Sequence, residues 1–221
     1  GDLGGGSLVD DQRTYDTYAN YFVKFLQEYE EKGVHVDYLT LQNEPLHGGC
    51  GTMPCCRIEA NSMARLIRVL GPRIQAAGLK TKILGWDHNW DVESYPRELL
   101  QDITVNPYVA GTAWHCYGGE VSSQSTIFNE FPDKEVHMTE CSGGWWSGSW
   151  ENAFLSHMKR LFIGNANNFG QSSILWNMVL DENRGPRCHG GACCPICRGI
   201  ITVPSTATSM SDISREVEYY N

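Results

Sequence analysis

Apolar residues recur at helical spacing in five segments of the chain, and short apolar runs separate these segments. The helical spacing predicts helices over residues 15–33, 57–78, 94–102, 122–132 and 149–167. The intervening runs predict strands over residues 34–42, 80–86, 109–117, 134–140 and 172–180. Because strands that alternate with helices form parallel βα units, the pattern predicts an α/β fold with five parallel strands.

Polar and aromatic residues follow each predicted strand, in the stretches "QNEP", "WDHNW", "WHCYGG", "TECSGGWW" and "WNMVLDEN". No glycine-rich phosphate loop follows a strand, so the sequence does not support a nucleotide site. In a (β/α)8 TIM barrel the C-terminal strand ends, here called the strand tips, gather on the face where active sites lie. A complete barrel typically needs about 250 residues. The chain has 221 residues, so we expect an incomplete TIM barrel.

Charge and hydropathy exclude several classes of function. The net charge is −9, and no basic run is longer than Lys159–Arg160, which argues against nucleic-acid partners and anionic membrane surfaces. No segment approaches the roughly 20 apolar residues of a membrane span. The sequence begins at Gly1 without a methionine or a signal peptide, which we interpret as a processed form or a fragment.

Nine cysteines are many for a chain of this length, and most lie in two glycine-rich stretches, "HGGCGTMPCC" and "RCHGGACCPIC". Such loops are typical of disulfide-bonded secreted proteins. Zinc is the alternative, because "CPIC" is a CxxC motif, although the second CxxC of a zinc ribbon is missing. The odd count leaves at least one free thiol, for which Cys116 or Cys141 is the candidate. The disulfide candidates are Cys50, Cys55, Cys56, Cys188, Cys193, Cys194 and Cys197.

Two glutamates stand at equivalent strand tips. Glu44 ends the stretch "LTLQNE", and Pro45 stops the strand because proline cannot donate to a strand ladder. Taken alone, Glu44 would be a solvated loop residue. Glu140 repeats the layout in "HMTECSGGWW". Two carboxyl groups about 5–5.5 Å apart across a barrel mouth are what a retaining glycosidase needs. Spacing alone does not assign which carboxyl is the acid and which the nucleophile.

Aromatic residues concentrate near the same strand tips, and tryptophan rings beside a few polar groups suit a carbohydrate cleft. Trp86 and Trp145 are candidates for sugar contact on this ground, although single tryptophans on α/β strands often belong to the core. His115 and Tyr117 alternate along one strand, so both side chains point towards the same face. For His115 a purely structural role is the alternative.

The stretches "GGGSL", "LTLQNEP", "WHCYGG", "TECSGG" and "CRGIITV" together resemble glycoside hydrolase family 30, which has the (β/α)8 fold. The resemblance is greatest to its fungal branch, whose typical activity is endo-β-1,6-glucanase; relatives include glucosylceramidases and xylan-active enzymes. The resemblance implies that Glu44 is the acid/base and Glu140 the nucleophile. It also implies sugar-site positions for Asn43, His115, Tyr117 and Trp176.

The resemblance implies that the five strands are the fourth to eighth of the barrel. Residues 1–221 would then form a single catalytic domain or the C-terminal two-thirds of one, without the family's β-sandwich. The expected function is that of a secreted retaining β-glycosidase that hydrolyses β-1,6-glucan or another β-linked glycoside without a metal or cofactor. The alternatives are a lectin-like carbohydrate-binding protein with weak or no hydrolysis, and a zinc-stapled interaction module.

Overall fold

A computed structural model describes residues 4–49, 55–186 and 194–215. Within them the α-helices are α1 (Gln12–Glu31), α2 (Ala60–Ala76), α3 (Ser94–Gln101), α4 (Ser122–Glu130), α5 (Trp150–His157) and α6 (Ile163–Asn167). A π-helical turn, Met158–Phe162, joins α5 to α6, and short 3₁₀ turns cover Asn106–Tyr108, Trp145–Ser147 and Met210–Asp212. The helices thus follow the predicted segments, with the last predicted helix interrupted by the π-helical turn.

The described strands are β1 (Tyr38–Thr40), β2 (Lys82–Asn89), β3 (Val109–His115), β4 (Glu135–Glu140), β5 (Gly143–Gly144), β6 (Ser172–Ser173), β7 (Val179–Leu180), β8 (Cys197–Arg198), β9 (Ile201–Thr202) and β10 (Ser214–Arg215). Five of them form one parallel sheet in the order β1-β2-β3-β4-β6. Three more form a sheet in the order β10-β9-β7, and β5 pairs with β8. The large sheet is a curled half-barrel, and its strands follow one another in chain order as βα units require.

Two predicted strands are shorter than the apolar pattern suggests. The segment 34–42 pairs with β2 only from Tyr38, opposite Lys82, to Thr40, opposite Leu84. The predicted strand 172–180 is divided between β6, in the half-barrel, and β7, in the smaller sheet. Both segments lie at an edge of the half-barrel, where a strand has one neighbour, so hydrophobicity alone overestimates the length that is paired.

The helix ends follow local chemistry. The Asp11 side chain accepts a hydrogen bond from the backbone N–H of Thr14 at 2.7 Å and so caps α1. Gly33 and Gly78 follow α1 and α2 with φ of 75° and 70°, in the left-handed region that glycine adopts without steric cost. The backbone N–H groups of both glycines return to the last helical turn, at Glu30 and Gln75.

The main core lies between the half-barrel and the helices that cover its outer face. From α2, Leu66, Ile67 and Leu70 are fully buried, and Trp114 of β3 and Ile83 of β2 join them in one hydrophobic cluster. This packing explains the helical periodicity of the α2 sequence, because one apolar face must be covered by the sheet. No helix within the described ranges combines the length and apolar character needed to cross a bilayer.

The structure differs from the prediction in which cysteine is the free thiol. Cys116 and Cys141, expected to include the free thiol, form a disulfide instead. They adjoin the tips of β3 and β4, and their Cα atoms lie 5.3 Å apart, within bridging range. Sequence separation did not reveal this proximity, because it arises from the parallel pairing of β3 with β4.

Among the disulfide candidates, Cys194 is bonded to Cys197, and Cys55 is also disulfide-bonded. Cys56 is a free thiol, so its inclusion among the disulfide candidates was wrong. The neighbouring Cys55 is the disulfide-bonded residue. Sequence spacing does not show which of two adjacent cysteines forms a disulfide. The remaining candidates, Cys50, Cys188 and Cys193, lie outside the described residues.

We expect Gly111→Ala to destabilise the fold by about 1–3 kcal/mol, the usual cost of overpacking. Gly111 pairs with Glu135 across β3 and β4, and a Cβ atom there would lie 2.2 Å from the backbone oxygen of Glu135. Urea unfolding followed by circular dichroism measures the change. Gly6→Ala is the matched control, because a Cβ at Gly6 meets nothing within 4 Å. Equal stability of the two variants would contradict this packing.

Candidate active site

Four consecutive strands bring ionisable side chains together at their tips. Glu44 follows β1, Asp87 lies near the end of β2, His115 ends β3 and Glu140 ends β4. Because these strands are parallel and adjacent, their C-terminal ends meet at one edge of the half-barrel. The polar stretches that follow the apolar strands therefore converge, as the sequence predicts.

The backbone at Glu44 is held in an unusual conformation. Its φ of 47° lies in the left-handed region, which costs a non-glycine residue roughly 1–3 kcal/mol. Two backbone hydrogen bonds hold it: the Glu44 N–H donates to the carbonyl of Asp87 at 2.9 Å, and the His47 N–H donates to the carbonyl of Glu44 at 2.8 Å. Pro45 is buried directly behind it. The turn fixes the direction in which the Glu44 carboxylate leaves the strand.

The tip of β2 is irregular in the same way. Trp86 and Asp87 have φ of 79° and 72°, and the pairing with β3 shifts register between Trp86 and His88. Such a bulge redirects the side chains that follow it. Asp87 is turned inward and is 6% exposed. Its carboxylate accepts hydrogen bonds from the hydroxyl groups of Thr40 at 2.6 Å and Thr139 at 2.7 Å.

His115 lies between two carboxylates and is 1% exposed. Its Nε2 is 3.1 Å from Oδ1 of Asp87, and its Nδ1 is 3.2 Å from Oε1 of Glu44. Burial opposes the charge on the imidazole, but the hydrogen bonds to Asp87 and Glu44 outweigh it and raise the pKa of His115 to about 9. His115 is therefore a buried cation at neutral pH, flanked by two anions.

The contacts with His115 also shift the pKa values of the two carboxylates beside it. The hydrogen bond from His115 and the neighbouring His88 hold the pKa of Glu44 well below its usual range, against the effect of burial. Burial disfavours the ionised form of Asp87, but His115 and two threonine hydroxyl groups outweigh it and lower the pKa of that carboxyl. Glu44 and Asp87 are thus ionised in the free site.

The pKa of Glu140 is shifted in the opposite direction. Burial raises the pKa of the Glu140 carboxyl, and the negative charges of Glu44 and Asp87 raise it further. The positive charge of His115 and a hydrogen bond from Tyr117 only partly offset these effects. The Tyr117 hydroxyl donates to Oε1 of Glu140 at 3.0 Å. The two candidate catalytic carboxyl groups therefore lie in electrostatically different environments.

Tyr117 is positioned from two sides. Its backbone N–H donates to Oδ1 of Asn89 at 3.0 Å, which ties it to the tip of β2. The preceding residue, Cys116, is disulfide-bonded to Cys141, which directly follows Glu140. The covalent link therefore holds the tip of β3 against β4, and the hydrogen bond holds it against the tip of β2.

The predicted sugar-contacting residues fall into two groups. Asn43, Tyr117, Trp145 and Trp176 are exposed at the tips. The guanidinium groups of Arg198 and Arg184 lie over the Trp145 ring at 5.0 and 5.5 Å.

Trp86 and His115 differ from the expected sugar contacts, because each is 1% exposed. The Trp86 indole N–H donates to the backbone oxygen of Asn89, and its ring packs against Tyr95 at 4.8 Å. Trp86 therefore belongs to the core, since the bulge of β2 turns its ring away from the tip face. His115 lies beneath the carboxylates and contacts them instead of the open face.

Several site residues were not predicted from the sequence: Asp87, His88, Asn89, Thr40 and Thr139. The stretch "WDHNW" carries a carboxylate at a strand tip, as "QNEP" and "TECSGG" do, and that layout was the available signal. His88 is half-buried, and its Nδ1 lies 3.4 Å from Oε1 of Glu44. Glu44, His88 and His115 present one potential metal-ligand atom each, all within 4.8 Å of one another.

The arrangement is suited to acid–base and nucleophilic chemistry on one substrate. It offers two half-buried carboxyl groups, a buried cation and a phenol hydrogen-bonded to one carboxyl. Exposed tryptophan rings flank it. A pair of carboxyl groups is what cleavage of a glycosidic bond requires.

Known proteins are similar to this chain in sequence and in fold. Neurospora crassa endo-1,6-β-D-glucanase is 36% identical over 193 residues, covering 86% of this chain and 39% of that protein. Mus musculus lysosomal acid glucosylceramidase is 28% identical over 188 residues, covering 78% of this chain and 36% of that protein. A solved endo-β1,6-glucanase structure matches with a TM-score of 0.87 at 33% identity, covering 99% of this chain and 49% of that one. The chain thus spans less than half the length of these relatives.

The family comparison covers most of the chain. Residues 3–203 match the glycosyl hydrolase family 30 TIM-barrel domain. The resemblance predicted from the sequence motifs is confirmed, including its similarity to fungal endo-1,6-β-glucanases. The five-stranded half-barrel accords with an incomplete copy of that domain. The protein belongs to glycosyl hydrolase family 30.

Proposed function

We propose that the protein is a retaining β-glycosidase that hydrolyses β-1,6-glucan. The observation that carries the proposal is the pair of half-buried carboxyl groups, Glu44 and Glu140, at the tips of β1 and β4. His115 and Tyr117 bind these carboxyl groups, and the His115 and Tyr117 rings lie 6.1 Å apart. The likeness to proteins named endo-1,6-β-D-glucanase supports the choice of glucan linkage.

In the proposed mechanism Glu140 is the nucleophile. Its ionised carboxylate attacks the anomeric carbon, the bond to the leaving oxygen breaks, and that oxygen takes a proton from Glu44. A covalent glycosyl-enzyme results. Water then attacks the same carbon while Glu44 accepts its proton, and the bond to Glu140 breaks. The two inversions together retain the β configuration.

The proton that the leaving oxygen needs raises a question about Glu44. In the free site the pKa of Glu44 is lowered and that of Glu140 is raised. Taken alone, these directions favour Glu140 as the proton carrier. We assign the proton to the hydrogen-bonded pair of His115 and Glu44, whose Nδ1 and Oε1 atoms are 3.2 Å apart. The proton passes from His115 to Glu44 along this hydrogen bond and from Glu44 to the leaving oxygen, so His115 both positions Glu44 and supplies its proton.

The exposed residues at the tips are proposed to bind the sugar. Asn43 directly precedes Glu44 and can donate to a hydroxyl group beside the anomeric carbon. Trp145 and Trp176 are 54% and 38% exposed, so each offers a ring face to an apolar face of a glucose unit. Tyr117 both touches Glu140 and lies 44% exposed at the cleft.

An extracellular location is proposed on two grounds. The described residues contain two fully defined disulfides, which persist in oxidising compartments. Fungal relatives are named endo-1,6-β-D-glucanases, and an enzyme that cleaves within a glucan polymer suits an extracellular location. The domain arrangement, a single catalytic domain over residues 1–221 or the C-terminal two-thirds of one, stays a prediction.

Azide rescue tests the roles of the two carboxyl groups. In Glu140→Gly, azide occupies the space of the nucleophile and should yield the α-glycosyl azide, because one displacement inverts the anomeric carbon. In Glu44→Gly, azide should attack the glycosyl-enzyme and yield the β-glycosyl azide. Activated aryl β-gentiobiosides serve as substrates, and proton NMR reads the anomeric configuration of the product.

The reverse pattern of products would exchange the roles of Glu44 and Glu140. Glu59→Gly is a control, because Glu59 lies outside the site and pairs with Arg57 on the surface. Binding of β-1,6-glucan without hydrolysis by the unmodified protein would replace the proposed function by the lectin-like alternative.

Removing the Tyr117 hydroxyl group should weaken the nucleophile. The hydrogen bond from Tyr117 lowers the pKa of Glu140, so Tyr117→Phe should raise that pKa further. Because Glu140 must be ionised to attack, activity is lost as pH falls through its pKa. The acidic limb of kcat/KM should therefore move to higher pH. The plateau value should fall about 10- to 100-fold, as expected for loss of a hydrogen bond to a charged group.

Initial rates on β-1,6-gluco-oligosaccharides across the pH range measure both effects. Tyr21→Phe is the matched control, since Tyr21 is exposed on α1. An acidic limb that stays in place, or moves to lower pH, would show that the Tyr117 hydroxyl does not stabilise the ionised nucleophile.

A further inference from the structure

Within the described part of the chain, one buried nitrogen of the site has no hydrogen-bond partner. Nδ1 of His88 is inaccessible to solvent and makes no hydrogen bond within the described residues. Oε1 of Glu44 lies 3.4 Å from it, in a geometry that is not a hydrogen bond. A buried polar atom without a partner is uncommon and calls for a bound species. Neither step of the proposed mechanism uses His88.

The unpartnered nitrogen points to a place where two other ligand atoms converge. Oε1 of Glu44 is 3.2 Å from Nδ1 of His115 and 3.4 Å from Nδ1 of His88. Each of the three side chains offers one ligand atom within 4.8 Å of the other two. Around a tetrahedral Zn²⁺ ion, neighbouring nitrogen and oxygen ligands lie roughly 3.3 Å apart. The two distances from Glu44 to the histidines match this ligand spacing, and the third lies within 4.8 Å.

The residues that hydrogen-bond to the proposed ligands also suit a metal site. His115 contacts Oδ1 of Asp87 through Nε2, and its Nδ1 faces Glu44, so a metal bound here displaces the proton between Nδ1 and the Glu44 carboxylate. Metal-bound histidines commonly donate their other ring N–H to a carboxylate in this way. Thr40 and Thr139 hold Asp87 in turn.

The local charge adds a further attraction. With Glu140 the site carries three carboxyl groups, which attract a dication.

We propose that Glu44, His88 and His115 form a binding site for Zn²⁺ that competes with catalysis. Two imidazoles and one carboxylate are ligands that zinc accepts readily, whereas Mg²⁺ and Ca²⁺ require oxygen ligands. A water molecule or a sugar hydroxyl group completes the coordination. A bound ion engages Glu44 and thereby blocks its exchange of a proton with the substrate. This inhibitory consequence rests on the proposed function, whereas metal binding itself does not.

Cobalt substitution tests binding without reference to activity. The protein is first alkylated with iodoacetamide, which removes accessible thiols such as Cys56 as competing ligands. It is then titrated with CoCl₂ at mildly alkaline pH and examined for the visible d–d bands of a tetrahedral site. ZnCl₂ should displace the cobalt and abolish these bands at one equivalent.

Variants identify the ligands. His88→Phe keeps a ring against Trp86 but removes the nitrogen, and Glu44→Gln removes the charged oxygen. Each should abolish the cobalt bands. Asp87→Asn keeps all three ligands and should weaken binding about 10- to 100-fold, as outer hydrogen-bond partners do. His35→Phe is the matched control, because that exposed histidine pairs with Glu30 away from the site, and it should bind as the unmodified protein does.

The outcomes separate the metal site from the enzymatic function. Absence of tetrahedral cobalt bands, or equal binding by His88→Phe and the unmodified protein, would overturn the proposal. Stoichiometric binding that depends on His88 supports it even if no hydrolysis is detected, in which case the proposed function fails alone. In an active protein, ZnCl₂ should inhibit hydrolysis competitively, and His88→Phe should lose that inhibition; inhibition equal in both would contradict the site.

Discussion

The structure of the site depends on one buried charge, the carboxylate of Asp87. An ionised carboxylate removed from water costs several kcal/mol or more unless charged or hydrogen-bonding partners surround it. Here Thr40 of β1, His115 of β3 and Thr139 of β4 supply them. One side chain on β2 thus ties together four adjacent strands. The left-handed backbone at Asp87 exists because the carboxylate must turn inward to reach these partners.

This buried charge sets the electrostatics of the other groups. Asp87 stabilises the cationic form of His115, and His115 in turn stabilises the ionised form of Glu44. Glu140 lies farther along the sheet, where burial and the two neighbouring anions raise its pKa. The same chain of contacts leaves His88 beside Glu44 without a hydrogen-bond partner of its own. The proposed catalytic pair and the proposed metal site therefore arise from one network.

Much of the fold could be predicted from the sequence, because helical and strand periodicities report which face of each element is buried. The five predicted strands all contribute to the half-barrel. Their order follows from the alternation of strands and helices. The positions of Glu44 and Glu140 near the strand ends were also predictable, since polar residues follow the apolar run in each stretch. The lengths of the two edge strands were overestimated, because hydrophobicity indicates which residues are buried and not which residues pair with a neighbouring strand.

The sequence by itself determined the alternation of elements, the polar strand tips and the two glutamates, because these depend on local chemistry and spacing. Only the tertiary structure decided which neighbours meet. The register shift of β2 placed Trp86 in the core and Asp87 at the centre of the site. The parallel pairing of β3 with β4 joined Cys116 to Cys141. Both outcomes depend on contacts between strands distant in sequence, and a pattern read along one strand carries no information about them.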